Sequence, residues 1–187
     1  MRTLPNMRVI CPADAAATRW ATRWAADNYG PVYLRLSREA FPDLYGADAT
    51  FEMGKGAVVR EGTDVTVIAC GLMVHKAIEA AEALAARGVS VRVVDMYSIK
   101  PIDKDLILRC AAETGAIVTA EEHTIYGGLG GAVSEVLAYG GAGAPTEFVG
   151  TQDTFTESGK YADLLRKYGL DAGGVAAAVE KVLARKK

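Results

Sequence analysis

Apolar runs of strand length alternate with stretches of helical period along most of the chain. Residues 7–11 read as a strand, and Pro12-Ala13-Asp14 turns the chain so that Asp14 can N-cap a helix over 15–29. In that helix Ala16, Trp20 and Trp24 fall on one stripe, with Arg19, Arg23 and Asp27 on a polar flank. Gly30-Pro31 stops it, and 32–37 is a second strand. From 38 to 63 the pattern dissolves among Pro42, Gly46, Gly54, Gly56 and Gly62. It then resumes with a strand over 65–70, a helix over 76–87 facing inward through Ile78, Ala81, Leu84 and Ala85, and a strand over 89–96. Pro101 and Asp103 open a helix with Leu106, Ile107, Cys110 and Ala111 inward. A strand over 116–120, a glycine-rich turn, a helix carrying Val133, Val136 and Leu137, and a strand over 146–149 follow. Two helices near 161–168 and 175–184 end the chain.

Strands such as Val65-Thr66-Val67-Ile68-Ala69 are apolar at consecutive positions, which fits parallel sheets covered on both faces. Residues 64–187 therefore predict a three-layer α/β/α domain around a mostly parallel five-stranded sheet. The first 37 residues hold two strands and one helix, too few to cover a sheet, so they predict an incomplete α/β unit. The expected division is an N-terminal unit over 1–45, a linker over 46–63 and a second unit over 64–187.

Charge narrows the function classes. Lys+Arg number 21 against 23 Asp+Glu, a formal net charge of −2, which gives no footprint for nucleic acid or an anionic membrane. No apolar stretch is long enough to span a bilayer, and the N-terminus lacks the apolar region of a secretory signal. Cys11, Cys70 and Cys110 sit in apolar surroundings and read as buried thiols of a reducing, cytoplasmic setting.

Candidate chemistry is sparse. Gly127-Gly128-Leu129-Gly130-Gly131 lies between strand and helix, where phosphates bind, but matches neither a P-loop nor a dinucleotide fingerprint. A structural role in a tight turn is expected there. Glu121, Glu122 and His123 stand at a strand's C-terminal end, where acid/base groups are found, yet lack partners at ligand spacing. A hydrogen-bonded or interface role is expected for them. His75 reads as a surface or capping residue. Asp153, Thr154, Thr156, Glu157 and Ser158 form a polar loop without a nucleophile–base pattern. Trp20 and Trp24 read as core or interface. Ser37 and Arg38 end a strand with a hydroxyl and a guanidinium, which can grip a phosphate or carboxylate or else form a surface ion pair.

Taken together the landmarks resemble the C-terminal part of transketolases. Leu4-Pro5-Asn6-Met7 with Pro12-Ala13-Asp14, and Gly30-Pro31 through Arg35-Leu36-Ser37-Arg38, resemble the end of the pyrimidine-binding domain. Met53-Gly54-Lys55-Gly56, Ile99-Lys100-Pro101-Ile102-Asp103, Glu121-Glu122-His123 with Gly127-Gly128-Leu129-Gly130, and Phe155 through Ser158-Gly159 resemble successive landmarks of the C-terminal domain. The resemblance implies reversible transfer of a two-carbon ketol unit between sugar phosphates, with thiamine diphosphate and magnesium or calcium in the full enzyme. It maps Arg38 onto an arginine that binds the sugar's phosphate, with Ser37 as its weaker neighbour. The family's catalytic glutamate and cofactor ligands match nothing here, so no catalytic, cofactor or metal residue is assigned and the chain alone is expected to be inactive. Met1 aligns with an internal family position, so more sequence is expected upstream, and the chain is expected to work as a homodimer or paired with the missing N-terminal part. The alternatives are a non-catalytic assembly module, or the equivalent part of deoxyxylulose-phosphate synthase or of a 2-oxo acid dehydrogenase beta subunit.

Overall fold

Every residue of the strand Val65–Ala69 is buried, and this forces helices onto both of its faces. In the computed structural model, which describes residues 1–186, the elements in chain order are β1 (Arg8–Ile10), α1 (Ala15–Asp27), β2 (Val32–Leu34), β3 (Ala57–Arg60), β4 (Val65–Ala69), α2 (Leu72–Ala85) and β5 (Val91–Asp95). Then come β6 (Ser98–Lys100), α3 (Lys104–Thr114), β7 (Ile117–Thr124), α4 (Leu129–Tyr139), β8 (Thr146–Thr151), α5 (Tyr161–Lys167) and α6 (Ala172–Leu183). The larger sheet has the order β3-β5-β4-β7-β8, parallel except for the antiparallel edge strand β3. Val65, Val67 and Ala69 point to the layer of α2 and α6, while Ile68 and Cys70 point to that of α3 and α4. The three-layer α/β/α domain with a mostly parallel five-stranded sheet is thus present. Each fully buried aliphatic such as Ile68 or Leu84 contributes about 1.5–3 kcal/mol, far more than an exposed pair such as Lys76–Glu79. No helix is long and apolar enough to cross a membrane among the described residues.

The helix ends follow the sequence. Asp14 caps α1 by accepting from Ala17 N at 2.8 Å, and Asp103 caps α3 by accepting from Leu106 N at 3.0 Å. In α3, Leu106, Ile107, Cys110 and Ala111 are buried as expected. Helix α2 starts at Leu72, before the expected 76, because Leu72, Met73 and Val74 are all buried and so display no helical period. Its inward face runs through Ala77, Ala80, Ala81 and Leu84; Ile78 is half-buried and Ala85 is exposed.

The N-terminal unit makes a second sheet, β2-β1-β6, in which β1 is parallel to β2 and antiparallel to β6. Its third strand therefore comes from the middle of the chain. Val9 and Cys11 share an apolar cluster with Ile68, Cys70, Met96 and Ile99, and Cys11 N donates to Tyr97 O at 2.8 Å. Along its outer edge β2 pairs with no strand among the described residues.

The stretch expected to be a linker over 46–63 contains β3, which pairs with β5. Four half-buried residues between Gly56 and Gly62 are too few to show a period, which is why the pattern concealed it. The loop before β3 is also held. The second carboxylate oxygen of Asp14 accepts from Leu44 N and Tyr45 N at 3.0 and 2.8 Å. Phe51 packs against Trp20, Tyr45 and Tyr97 with ring centroids 4.9 to 5.6 Å apart. Trp20 and Trp24 are half-buried, Trp24 beneath the Arg8 guanidinium.

The Tyr45 hydroxyl donates to Asp95 Oδ2 at 2.8 Å, and Asp95 Oδ1 is buried without a partner. Burial pushes the Asp95 carboxyl up to about 7, against the Tyr45 hydrogen bond and with help from Asp14. A carboxyl raised in the folded state favours folding at low pH. That contribution is complete below the ordinary 3.8 and is lost as pH rises through 7. Urea unfolding is expected to show the wild type losing up to about 3 kcal/mol more than Asp95→Asn between pH 5 and 8. Parallel pH dependences would show that Asp95 is ionised throughout.

Candidate functional site

The C-terminal ends of β1, β2, β4 and β7 converge, bringing the edge of the small sheet to the end of the large one. Between them lies a cavity of about 150 Å³ lined by Cys11, Arg35, Ser37, Arg38, Cys70 and Tyr161, with Glu122 on the same wall. Strand C-terminal ends are where sites collect in such sheets, because the helices that follow point their N-termini there.

Arg35 arrives by leaving β2 in register: its N–H donates to Ile10 O at 2.9 Å, and strand periodicity puts Arg35 and Ser37 on one side. The Ser37 hydroxyl accepts from Glu39 N at 3.3 Å, which turns the chain outward at Arg38. Arg38 is exposed and Arg35 half-buried. No carboxylate oxygen lies within 4.0 Å of either guanidinium among the described residues, so the surface ion pair entertained for Arg38 is not formed. Burial opposes the charge on Arg35, but the Cys11 and Cys70 thiols and the Glu122 and Glu121 carboxylates hold its pKa above the ordinary arginine value. A hydrogen bond with Cys11 and burial push the Cys70 thiol well up, so it is no nucleophile at neutral pH. All three cysteines are free and buried.

Helices α2 and α4 both begin at this end of the sheet, and their N-termini differ. Helix α2 begins at Gly71, whose φ of +57° suits glycine, on the cavity wall. No side chain caps it, and its first turn holds no acidic residue. Helix α4 is filled from within. Glu121, 2% exposed, accepts from Leu129 N at 2.9 Å and Gly130 N at 3.0 Å. A Cβ on Gly128 would stand 2.1 Å from the Glu121 carboxylate. The glycine-rich turn is therefore built around an internal carboxylate and has no room for a phosphate.

The remaining candidates are dispersed. Glu121, Glu122 and His123 lie within β7, which runs on to Thr124 and so past the expected end at 120. His123 is exposed, with Nδ1 2.7 Å from Thr124 O. His75 is half-buried: Nε2 lies 2.8 Å from Ala13 O and the ring packs on Phe41, tying α2 to the N-terminal unit. The loop with Asp153, Thr154, Thr156, Glu157 and Ser158 is exposed, pinned where Glu157 pairs with Lys167. Sequence reasoning missed Arg35 and Tyr161. A charged residue inside an apolar strand, two places from Ser37, was the available signal for Arg35. Tyr161 has none, being joined to the site by tertiary packing alone.

With Glu121 accepting from Leu129 N and Gly130 N, the α4 N-terminus does not fit the diphosphate of thiamine diphosphate.

A family model described as Transketolase, C-terminal domain matches residues 54–175, and one described as Transketolase, pyrimidine binding domain matches 1–43. A Methanocaldococcus jannaschii protein, provisionally named a transketolase C-terminal section, is 43% identical over 178 residues, covering 94% of this chain and 55% of its own length. A 1-deoxy-D-xylulose-5-phosphate synthase of Geobacter sulfurreducens is 39% identical, covering 100% of this chain and 30% of its own. Among solved structures, a split-gene transketolase described as an inactive beta4 tetramer superposes with a TM-score of 0.94 at 51% identity, over 100% of this chain and 60% of that one. The chain thus spans at most about half the length of these two curated relatives.

The contact between Glu121 and Gly128 yields a double-mutant cycle. Glu121→Ala orphans two buried N–H groups and Gly128→Ala drives a methyl into the carboxylate, each expected to cost about 1–3 kcal/mol. Because removing the carboxylate also removes the clash, urea unfolding of the double mutant is expected to fall short of the sum by at least about 1 kcal/mol. Additive losses would show that the two residues do not meet.

Proposed function

The chain belongs to the transketolase family, a family of transferases, and on that premise we propose that it is the substrate-phosphate-binding and assembly half of a thiamine-diphosphate-dependent transketolase. Arg38, with Ser37 beside it, receives the phosphate of a sugar phosphate while a two-carbon ketol unit passes between sugars. The observation that carries this reading is the exposed Arg38 guanidinium at the mouth of the cavity, with no carboxylate within 4.0 Å among the described residues to neutralise it. Arginine suits the task because its planar fork stays charged and meets phosphate oxygens in pairs.

The cofactor, its metal and the catalytic glutamate are supplied by a second polypeptide in this reading. Two observations support such pairing: the unpaired outer edge of β2, flanked by exposed Tyr29 and Leu36, and the split-gene origin of the solved relative. Three buried free thiols fit work in a reducing cytoplasm.

The deoxyxylulose-phosphate synthase likeness gives a second reading of the same site. In the assembled enzyme, xylulose 5-phosphate with ribose 5-phosphate is expected to turn over and pyruvate with glyceraldehyde 3-phosphate is not; the reverse selects the synthase. Arg38→Ala is expected to raise KM for ribose 5-phosphate by about ten- to a hundredfold with kcat within a few fold. Unchanged kinetics, together with weaker association on truncating Trp20 or Trp24, would leave the chain a non-catalytic assembly module.

A further inference from the structure

Helix α1 turns only the small side chains of Ala17 and Ala21 fully inward, and its indoles lie on the flank. Trp20 meets Tyr97 edge-on with ring centroids 5.4 Å apart and lies tilted on Phe51 at 5.6 Å, yet it stays half-buried. Trp24, one turn on, is also half-buried and has the Arg8 guanidinium 5.2 Å from its ring. Between this flank and the loop over 47–51 runs a groove of about 430 Å³, lined by Trp20, Trp24 and Phe51 and by Arg19, Arg23 and Asp27. These three charged side chains are exposed, and none has an opposite charge within 4.0 Å among the described residues. Packing accounts for the inner contacts of Trp20. It does not account for two unneutralised guanidiniums beside two half-exposed indoles. That combination complements a flat ring joined to an anionic group. Arg19 and Arg23 stand about 6 Å apart along the helix axis, close enough to share one phosphate.

We propose that this groove is a binding site for a nucleoside monophosphate, with the base against the aromatic side chains, the phosphate between Arg19 and Arg23, and Asp27 accepting from a hydroxyl or amine of the nucleoside. The volume falls within the roughly 300–1,000 Å³ of small-molecule sites. Two guanidiniums match a single phosphate and not a nucleic-acid strand, in keeping with the net charge of −2. Asp27 sharpens the choice, because its carboxylate disfavours a bare aromatic anion and favours a ligand that also carries donors. The groove shares no lining residue with the cavity around Arg38, so the inference stands apart from the reading of that residue.

Trp20 and Trp24 are the only two tryptophans in the chain, so its tryptophan emission reports on this groove directly. Titration of the full chain with adenosine monophosphate is expected to change that emission saturably, with calorimetry giving the affinity independently. Adenosine lacks the phosphate and ribose 5-phosphate lacks the ring, and each is expected to bind at least about tenfold more weakly. Arg19→Gln and Arg23→Gln are each expected to weaken binding of the nucleotide by about tenfold, with thermal unfolding unchanged because both residues are exposed. Emission and heat unaltered by millimolar adenosine monophosphate overturn the inference. If 8-anilinonaphthalene-1-sulfonate binds in that case, the groove takes aromatic anions but not nucleotides. If instead Trp20→Ala lowers self-association on sedimentation, the groove is a subunit contact. Nucleotide binding that survives both arginine substitutions also overturns the inference, and its loss in Arg38→Gln would place the nucleotide in the other cavity.

Discussion

The antiparallel pairing of β6 with β1 is short, yet the placement of Arg35, Ser37 and Arg38 against the C-terminal unit depends on it. Three residues of β1 could not hold a sheet with β2 alone, since isolated two-stranded pairs are marginal in water. By lending a third strand from just past β5, the chain fixes the N-terminal unit to the end of the large sheet. The apolar cluster joining Val9 and Cys11 to Ile68, Cys70 and Met96 makes that attachment hydrophobic as well as hydrogen-bonded. The C-terminal ends of β1 and β2 then face those of β4 and β7. Without that constraint Arg35 and Tyr161 would have no reason to meet.

Helix N-termini are natural sites for negative charge, and those of α2 and α4 at this end of the sheet are treated differently. Helix α4 receives Glu121 and is closed, while α2 begins on an uncapped glycine facing two unpaired arginines. The glycine-rich segment, which the sequence marked as a tight turn and not as a phosphate site, is the one already neutralised. Spacing and composition could not show this, because the neutralising carboxylate comes from the preceding strand.

Much of the fold was legible in the sequence. The consecutive apolar residues of β4 announced burial on both faces, and Asp14 and Asp103 marked two helix starts through their capping chemistry. What stayed hidden had physical causes. The half-buried β3 is too short to show alternation, and the start of α2 is buried all round and so shows no period. Of the site, Ser37 and Arg38 were visible because the chain leaves the strand there. The roles of Arg35, Tyr161 and His75 come from contacts across the two units, and that of Glu121 from the packing of β7 on the start of α4, which no local pattern records.

The central claim is that the N-terminal unit and the C-terminal domain fold as one structure around the β1–β6 pairing. Native-state amide hydrogen exchange on the intact chain tests it most directly. The account predicts that amides of β1 and β6, Cys11 N among them, exchange as slowly as those of β4 and gain exposure together with them as urea is added. Rapid exchange across residues 8–11 while β4 and β7 remain protected would contradict it, because the arginines would then ride on a segment that the rest of the protein does not hold.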